Sequence, residues 1–281
     1  MPNSFLFIIP LTPRSHLSSQ RLSLRKLCFD TLKSQSYSNW KALLIGELLD
    51  EEQVSEKFIK IDFEGQKEEK LQKATEYILR KELNCDYIIR LDDDDIFNPV
   101  ILDSLKDKNF DLCVDKYHSF WDTSSGMISQ KIMYWFPNSC IHNKKHALAI
   151  VGSFPPGDYQ RYKEKPFLIE NEHNDFHFHY TEKNNIIFSD KKSPVYLRSL
   201  SSGSITSLQA NNYSEYMNNF GYWKENNIGA FSFLKKIKID TGTENKRKKQ
   251  NLLFFLKSIK NTIISLKVYN KVIINKNGTR T

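Results

Sequence analysis

Four short apolar runs punctuate the first hundred residues, and the longer gaps between them are charged stretches with helical spacing. Residues 4–11 (SFLFIIPL), 41–47 (KALLIGE), 58–63 (FIKIDF) and 86–91 (DYIIRL) read as strands. Residues 17–35 carry Leu22, Leu24, Leu27, Phe29 and Leu32 among charges, and residues 68–83 carry Leu71, Ala74, Tyr77, Ile78 and Leu83. Both suit helices. A short helix at 100–107 and a strand at 110–115 continue the pattern. Strand and helix in alternation predict parallel βαβ units and an open α/β sheet. Ligands of such sheets sit beyond the carboxyl ends of the strands.

The second half is less regular. Residues 126–136 (GMISQKIMYWF) look like a β-ribbon, and 153–162 (SFPPGDYQRY) like a loop broken by proline and glycine. It reads as continuous with the sheet, which places one domain over residues 1–240. Around 241–251 (TGTENKRKKQN) the composition turns polar and basic, as a linker would.

Charge supports that division. The chain of 281 residues carries a formal +8, but residues 231–281 hold 13 Lys and Arg against Asp240 and Glu244, a surplus of 11. The first 230 residues therefore carry about −3. A core of that sign argues against a nucleic-acid substrate. Hydrophobic residues at 40% and aromatics at 13% suffice for a packed core, so wholesale disorder is not expected. Cys28, Cys85, Cys113 and Cys140 form no CxxC pair, as expected of a reduced intracellular protein. The opening MPNSFLFIIPLTPR has no basic start and too short an apolar stretch for a signal peptide. No apolar run reaches the ~18 residues of a membrane span. A cytoplasmic location is expected.

The fourth strand runs straight into four carboxylates, in IIRLDDDDIFNP (88–99). Such a cluster repels itself unless something positive joins it. An acidic loop in solvent, or Asp95 capping the following helix, is one reading. A hard divalent cation, Mg²⁺ or Mn²⁺, is the other, and the position after a strand of an α/β chain favours it. On an extended segment Asp92 and Asp94 share one face and Asp93 and Asp95 the opposite one.

Three stretches resemble the family 2 glycosyltransferases, enzymes of the GT-A fold that transfer a sugar from a nucleotide diphosphate donor. FLFIIPLTPR (5–14) is similar to their first strand and nucleotide loop. TLKSQSYSNWKALLIGE (31–47) follows their Leu-x-x-Gln-x-Tyr-x-Asn pattern before a strand. DYIIRLDDDDIFNP (86–99) follows their Leu-Asp-x-Asp-Asp-x-x-x-Pro signature, and its RLDDDD is similar to a subgroup of bacterial rhamnosyltransferases. The resemblance covers residues 4–100 well and 135–206 faintly. It implies a GT-A-like open, mostly parallel sheet with flanking helices. Residues 1–115 would form the nucleotide-binding half and 116–240 the acceptor half, with a helical basic tail after them.

The same resemblance implies site residues. Asp92, Asp94 and Asp95 would hold Mg²⁺ or Mn²⁺, and Asp92 the diphosphate as well. Pro10, Leu11, Thr12 and Glu47 would line the nucleotide, although the second strand ends Ile45-Gly46-Glu47 where the family has aspartates. Arg14 could meet a phosphate, and so could Arg198 and Ser204 in PVYLRSLSSGSIT (194–206), where Leu200 stands at the family's late histidine. An inverting transfer needs a base for the acceptor hydroxyl. In ENEHNDFHFHY (170–180) the candidates, in order, are Glu172, His173 and Asp175. A helix start gaining from its dipole accounts for the same acids without catalysis. A metal cluster of His173, His177 and His179 is disfavoured, because no single strand or helix gathers all three.

In the tail, Leu252, Leu256, Ile259, Ile263 and Leu266 form an apolar stripe with Lys257, Lys260 and Lys267 off it. Residues 252–267 suit an anionic membrane face or the enzyme's own surface equally well. The expectation is a metal-dependent inverting glycosyltransferase of bacterial surface-polysaccharide assembly, with a glycan or lipid-linked acceptor. Two alternatives stand: a nucleotidyl or phosphoryl transferase using the same aspartates, and a non-enzymatic membrane or nucleic-acid binding protein acting through its tail.

Overall fold

The first apolar run forms strand β1, Phe5–Pro10, buried at every position. A strand buried on both faces must lie in the middle of a sheet covered on each side. The computed structural model shows this, and it describes residues 1–49, 55–132, 139–149, 180, 183–202, 216–217, 219–237 and 239. Helix α1 (Ser19–Lys33) and strands β2 (Trp40–Ile45) and β3 (Phe58–Ile61) follow. Then come α2 (Lys67–Arg80), β4 (Tyr87–Arg90), β5 (Ile96–Phe97), α3 (Ile101–Leu105) and β6 (Leu112–Asp115). Strands β7 (His118–Asp122), β8 (Ile128–Lys131) and β9 (Ile141–Asn143) lead to α4 (Lys144–Ala147). Strands β10 (Ile186–Ser189) and β11 (Tyr196–Leu200) and a 3-10 segment, Gly229–Lys236, complete the described elements.

Seven strands form one sheet in the order β10-β6-β9-β4-β1-β2-β3, and four form a second in the order β5-β11-β7-β8. In the large sheet β9 alone runs antiparallel to its neighbours. The open, mostly parallel α/β sheet with flanking helices is thus present. Alternation along β1 divides its core. Phe5, Phe7 and Ile9 pack with Cys28, Phe29 and Leu32 of α1 and Leu102 and Leu105 of α3. Leu6 and Ile8 pack on the other face with Leu71, Ala74 and Ile78 of α2.

The two halves expected from sequence share both sheets. β10 adds to the edge of β6, and β5, from before residue 115, pairs with β11. The ribbon expected at 126–136 is realised as a β7–β8 hairpin, Trp121 opposite Ile128; residues 133–138 lie outside the described set. The helix after Pro99 is capped by no carboxylate: the Asn98 side chain takes the Val100 amide at 3.0 Å, and Asp95 is turned elsewhere. All four cysteines are buried, and none forms a disulfide. Among the described residues no helix is long and apolar enough to cross a membrane.

Candidate functional site: a cleft at the carboxyl ends of the parallel strands

Parallel strands of one register end together, so the loops after β1, β2 and β4 meet at one edge. Leu11 donates its amide to Ile45 at 2.8 Å, and Leu91 donates to Ile8 at 3.0 Å. Gly46 makes the close approach feasible. Its φ is +134°, and a Cβ there would stand 3.0 Å from the Cβ of Leu11. Above this edge opens a cleft of about 1020 Å³. Pro10, Leu11, Thr12, Arg14, Glu47, Asp92, Asp94, Asp95 and Arg198 all line it, so the nucleotide and metal candidates from the sequence converge. Glu172, His173 and Asp175 lie outside the described residues, as do His177, His179, Ser204 and the whole tail from 241.

The aspartates alternate in burial as an extended segment would, although the chain turns there, Asp95 donating its amide to the Asp92 carbonyl at 3.1 Å. Asp93 faces inward. It accepts the Thr12 amide and the Thr12 hydroxyl, both at 2.7 Å, and Arg25 Nε at 2.9 Å. Arg25, fully buried, also donates to the Thr12 carbonyl at 2.7 Å. These bonds fasten the loop after β1 to the acidic turn. Asp95, likewise buried, accepts the Ser199 amide of β11 at 2.9 Å.

Asp92 and Asp94 look into the cleft. Asp94 meets Arg21 Nη1 at 3.1 Å and Asp92 meets Lys67 Nζ at 2.6 Å. Burial would raise Asp92, but Lys67, Arg90 and Arg198 outweigh it and hold its carboxyl well below the usual range. Burial, opposed by Arg21 and reinforced by Asp93 and Asp92, pushes Asp94 up to about 6. Burial and then Asp94 and Asp92 raise Asp95 well above an ordinary carboxylate.

The positive partners that folding around four carboxylates requires are thus largely the chain's own. Sequence reading named Arg14 and Arg198 but missed Arg21, Arg25 and Lys67. A signal existed: Arg25 falls on the apolar stripe of α1 with Leu24, Cys28 and Leu32, and a charge on a core-facing stripe needs a partner. Lys70 of α2, also missed, is buried and donates to the Leu11 carbonyl at 2.8 Å. Arg14 and Glu47 pair with each other at 2.9 Å across the rim, both exposed.

The donor set fits a divalent cation only in part. Asp93 and Asp95 are engaged by the protein. Asp92 and Asp94 each keep one oxygen that bonds none of the described residues. Among the described residues no three His, Cys, Asp or Glu side chains form a cage. Two carboxylates completed by substrate phosphates is the usual arrangement for Mg²⁺. Ser199, which lines the cleft, has a buried hydroxyl with no partner among the described residues, a further polar atom for a ligand to satisfy.

The fold and site together define an α/β protein with a charged cleft at the carboxyl ends of its parallel strands. No family model matches the chain, and no curated protein does. Solved structures similar in fold include TarS of S. aureus, at 11% identity and a TM-score of 0.42, covering 94% of this chain and 50% of that one. A TarS 1–349 structure matches at 12% and 0.41, and its complex with UDP-GlcNAc at 11% and 0.45; each covers 94% of this chain and 82% of the other. The chain spans half the length of the first of these.

Proposed function

We propose that this chain is a glycosyltransferase that takes a sugar from a nucleoside diphosphate donor and passes it to a hydroxyl acceptor in cell-surface polysaccharide assembly. One observation carries the reading. The loop after β1 and the acidic turn after β4, the stretches that resemble family 2 glycosyltransferases, are bonded to each other and open into one cleft.

Charge supports a cation in that cleft. Its lining holds seven acids, including Glu47, Asp62 and Glu64, against five Arg and Lys. A diphosphate entering a net-negative site is repelled unless a cation comes with it. Mg²⁺ or Mn²⁺ would be held by Asp92 and Asp94 and would supply neutralisation of the departing diphosphate. Asp93 and Arg25 keep Thr12 and the turn in register, Arg198 faces the same space, and Pro10, Leu11 and Glu47 offer the nucleoside its wall. The acceptor base is assigned to Glu172, then His173, then Asp175. The acceptor is a glycan or a lipid-linked glycan. Inversion follows from a single displacement with such a base. Residues 252–267 would rest on the inner face of the cell membrane, with the catalytic domain in the cytoplasm.

The test is thermal stabilisation of the full chain by UDP, GDP and dTDP, each with and without Mn²⁺. One of them should raise the melting temperature only with the metal, and Asp94→Ala should abolish that shift, whatever the melting temperature of the variant alone. A shift that survives in Asp94→Ala sinks the assignment.

A further inference from the structure

Among the described residues Arg25, Arg21 and Lys67 form ion pairs with the acidic turn, and they differ in freedom. Arg25 on Asp93 has a side chain 1% exposed, and Arg21 on Asp94 one 10% exposed. Arg21 is held further by the Thr12 hydroxyl at 2.8 Å. Neither can leave without stranding a buried charge. Lys67 differs. Its side chain is 43% exposed and that of Asp92 29%, so water reaches both ends of the pair and its exchange is cheap. Lys70, one turn on, is locked to Leu11 and cannot substitute for it.

Asp92 is also one of the two carboxylates that fit a divalent cation. An ammonium and a dication on one carboxylate repel each other at close range. The orphaned Ser199 hydroxyl is separate support for a ligand in the same cleft. We propose that Lys67 occupies the cation's place on Asp92 in the free protein and passes to the donor's diphosphate when metal and donor enter together. This rests on the reading that the cleft takes a nucleoside diphosphate with a divalent ion. Lys67 heads α2, so its stem stays at the cleft wall while its ammonium swings from carboxylate to phosphate. The exchange keeps the site from holding a bare metal tightly and rewards the pair, metal with diphosphate.

Lys67→Met and Lys67→Arg in the full chain test this, because the two affinities should move in opposite directions. Mn²⁺ alone, titrated by the electron paramagnetic resonance signal of the free ion, should bind Lys67→Met roughly two- to fivefold tighter, the release of an exposed ion pair. The nucleoside diphosphate that wild type binds, measured by calorimetry in saturating Mn²⁺, should bind it about tenfold more weakly, as loss of a charged hydrogen bond requires. Lys67→Arg should keep most of the nucleotide affinity. Affinities that both fall, or both stay, overturn the proposal while leaving the glycosyltransferase reading intact. A wild type that binds none of UDP, GDP and dTDP overturns both.

Discussion

The two ends of the seven-stranded sheet treat their acids differently. At the amino ends, Asp86 before β4 accepts the Ser4 amide and hydroxyl, both at 2.7 Å. Asp111 before β6 accepts Lys145 at 2.8 Å, His146 at 3.0 Å and the Asn185 amide at 2.9 Å. Burial opposes but these donors prevail, and Asp111 sits well below the ordinary carboxylate range. At the carboxyl ends the acids crowd one another, and Asp94 and Asp95 are raised. Asp115, at the far end of β6 from Asp111, is pushed up to about 7 by burial despite Ser189 and the Val195 and Tyr196 amides. One end uses carboxylates to tie loops down. The other holds Asp94 and Asp95 under electrostatic load beside a cleft.

The sharpest way to break this contrast is at Asp93, the member of the acidic turn with the most bonds to the rest of the protein. Asp93→Asn keeps the shape but leaves Arg25 buried without its countercharge, a loss of about 3–5 kcal/mol. Urea unfolding reads it directly. A cost below about 1 kcal/mol means that the Thr12–Asp93–Arg25 bonds do not set the turn.

The next largest effect is in pH, where the two ends of β6 should slope in opposite directions. Asp115 keeps its proton in the native state up to about 7, whereas the unfolded chain releases it near 4. Between those values the unfolded state binds fewer protons, so stability falls as pH rises, by about 4 kcal/mol. Asp111 is depressed, so its contribution is present above about pH 4 and is lost as pH falls below it, by about 1 kcal/mol. Unfolding at pH 3, 4, 5.5 and 7.5 separates them. Asp115→Asn should flatten the fall between 4 and 7, and Asp111→Asn the fall below 4. Matching slopes for the two variants contradict the division of the sheet's ends.

The division also explains what could be read beforehand. The strands at 4–11, 41–47 and 86–91 announced themselves because a parallel strand buried on both faces is a continuous apolar run, and β1, β2 and β4 lie there; β3, at 58–63, is the edge strand and is only partly buried. The pairing of Asp92 with Asp94, against Asp93 with Asp95, was legible because side chains alternate, and the burial of the four follows it. Strand β5 is two residues long and β9 three, below what periodicity can register; both exist through pairing with distant strands. The partners of the acids were hidden for a similar reason. Lys67 and Arg21 belong to helices 25 and more residues away, and only the fold brings them to the turn.

The smallest effect is at the rim. Arg14 and Glu47 are 70% and 49% exposed, and an ion pair so placed contributes about 0–0.5 kcal/mol to folding. Arg14→Ala should leave the urea midpoint unchanged within error. That silence is what makes the variant informative, because any change in nucleoside diphosphate affinity then reflects ligand contact and not altered packing. A two- to tenfold loss of affinity at constant stability would extend the loaded end of the sheet out to the rim. Unchanged affinity would confine it to the floor, where Asp92, Asp94 and Lys67 meet.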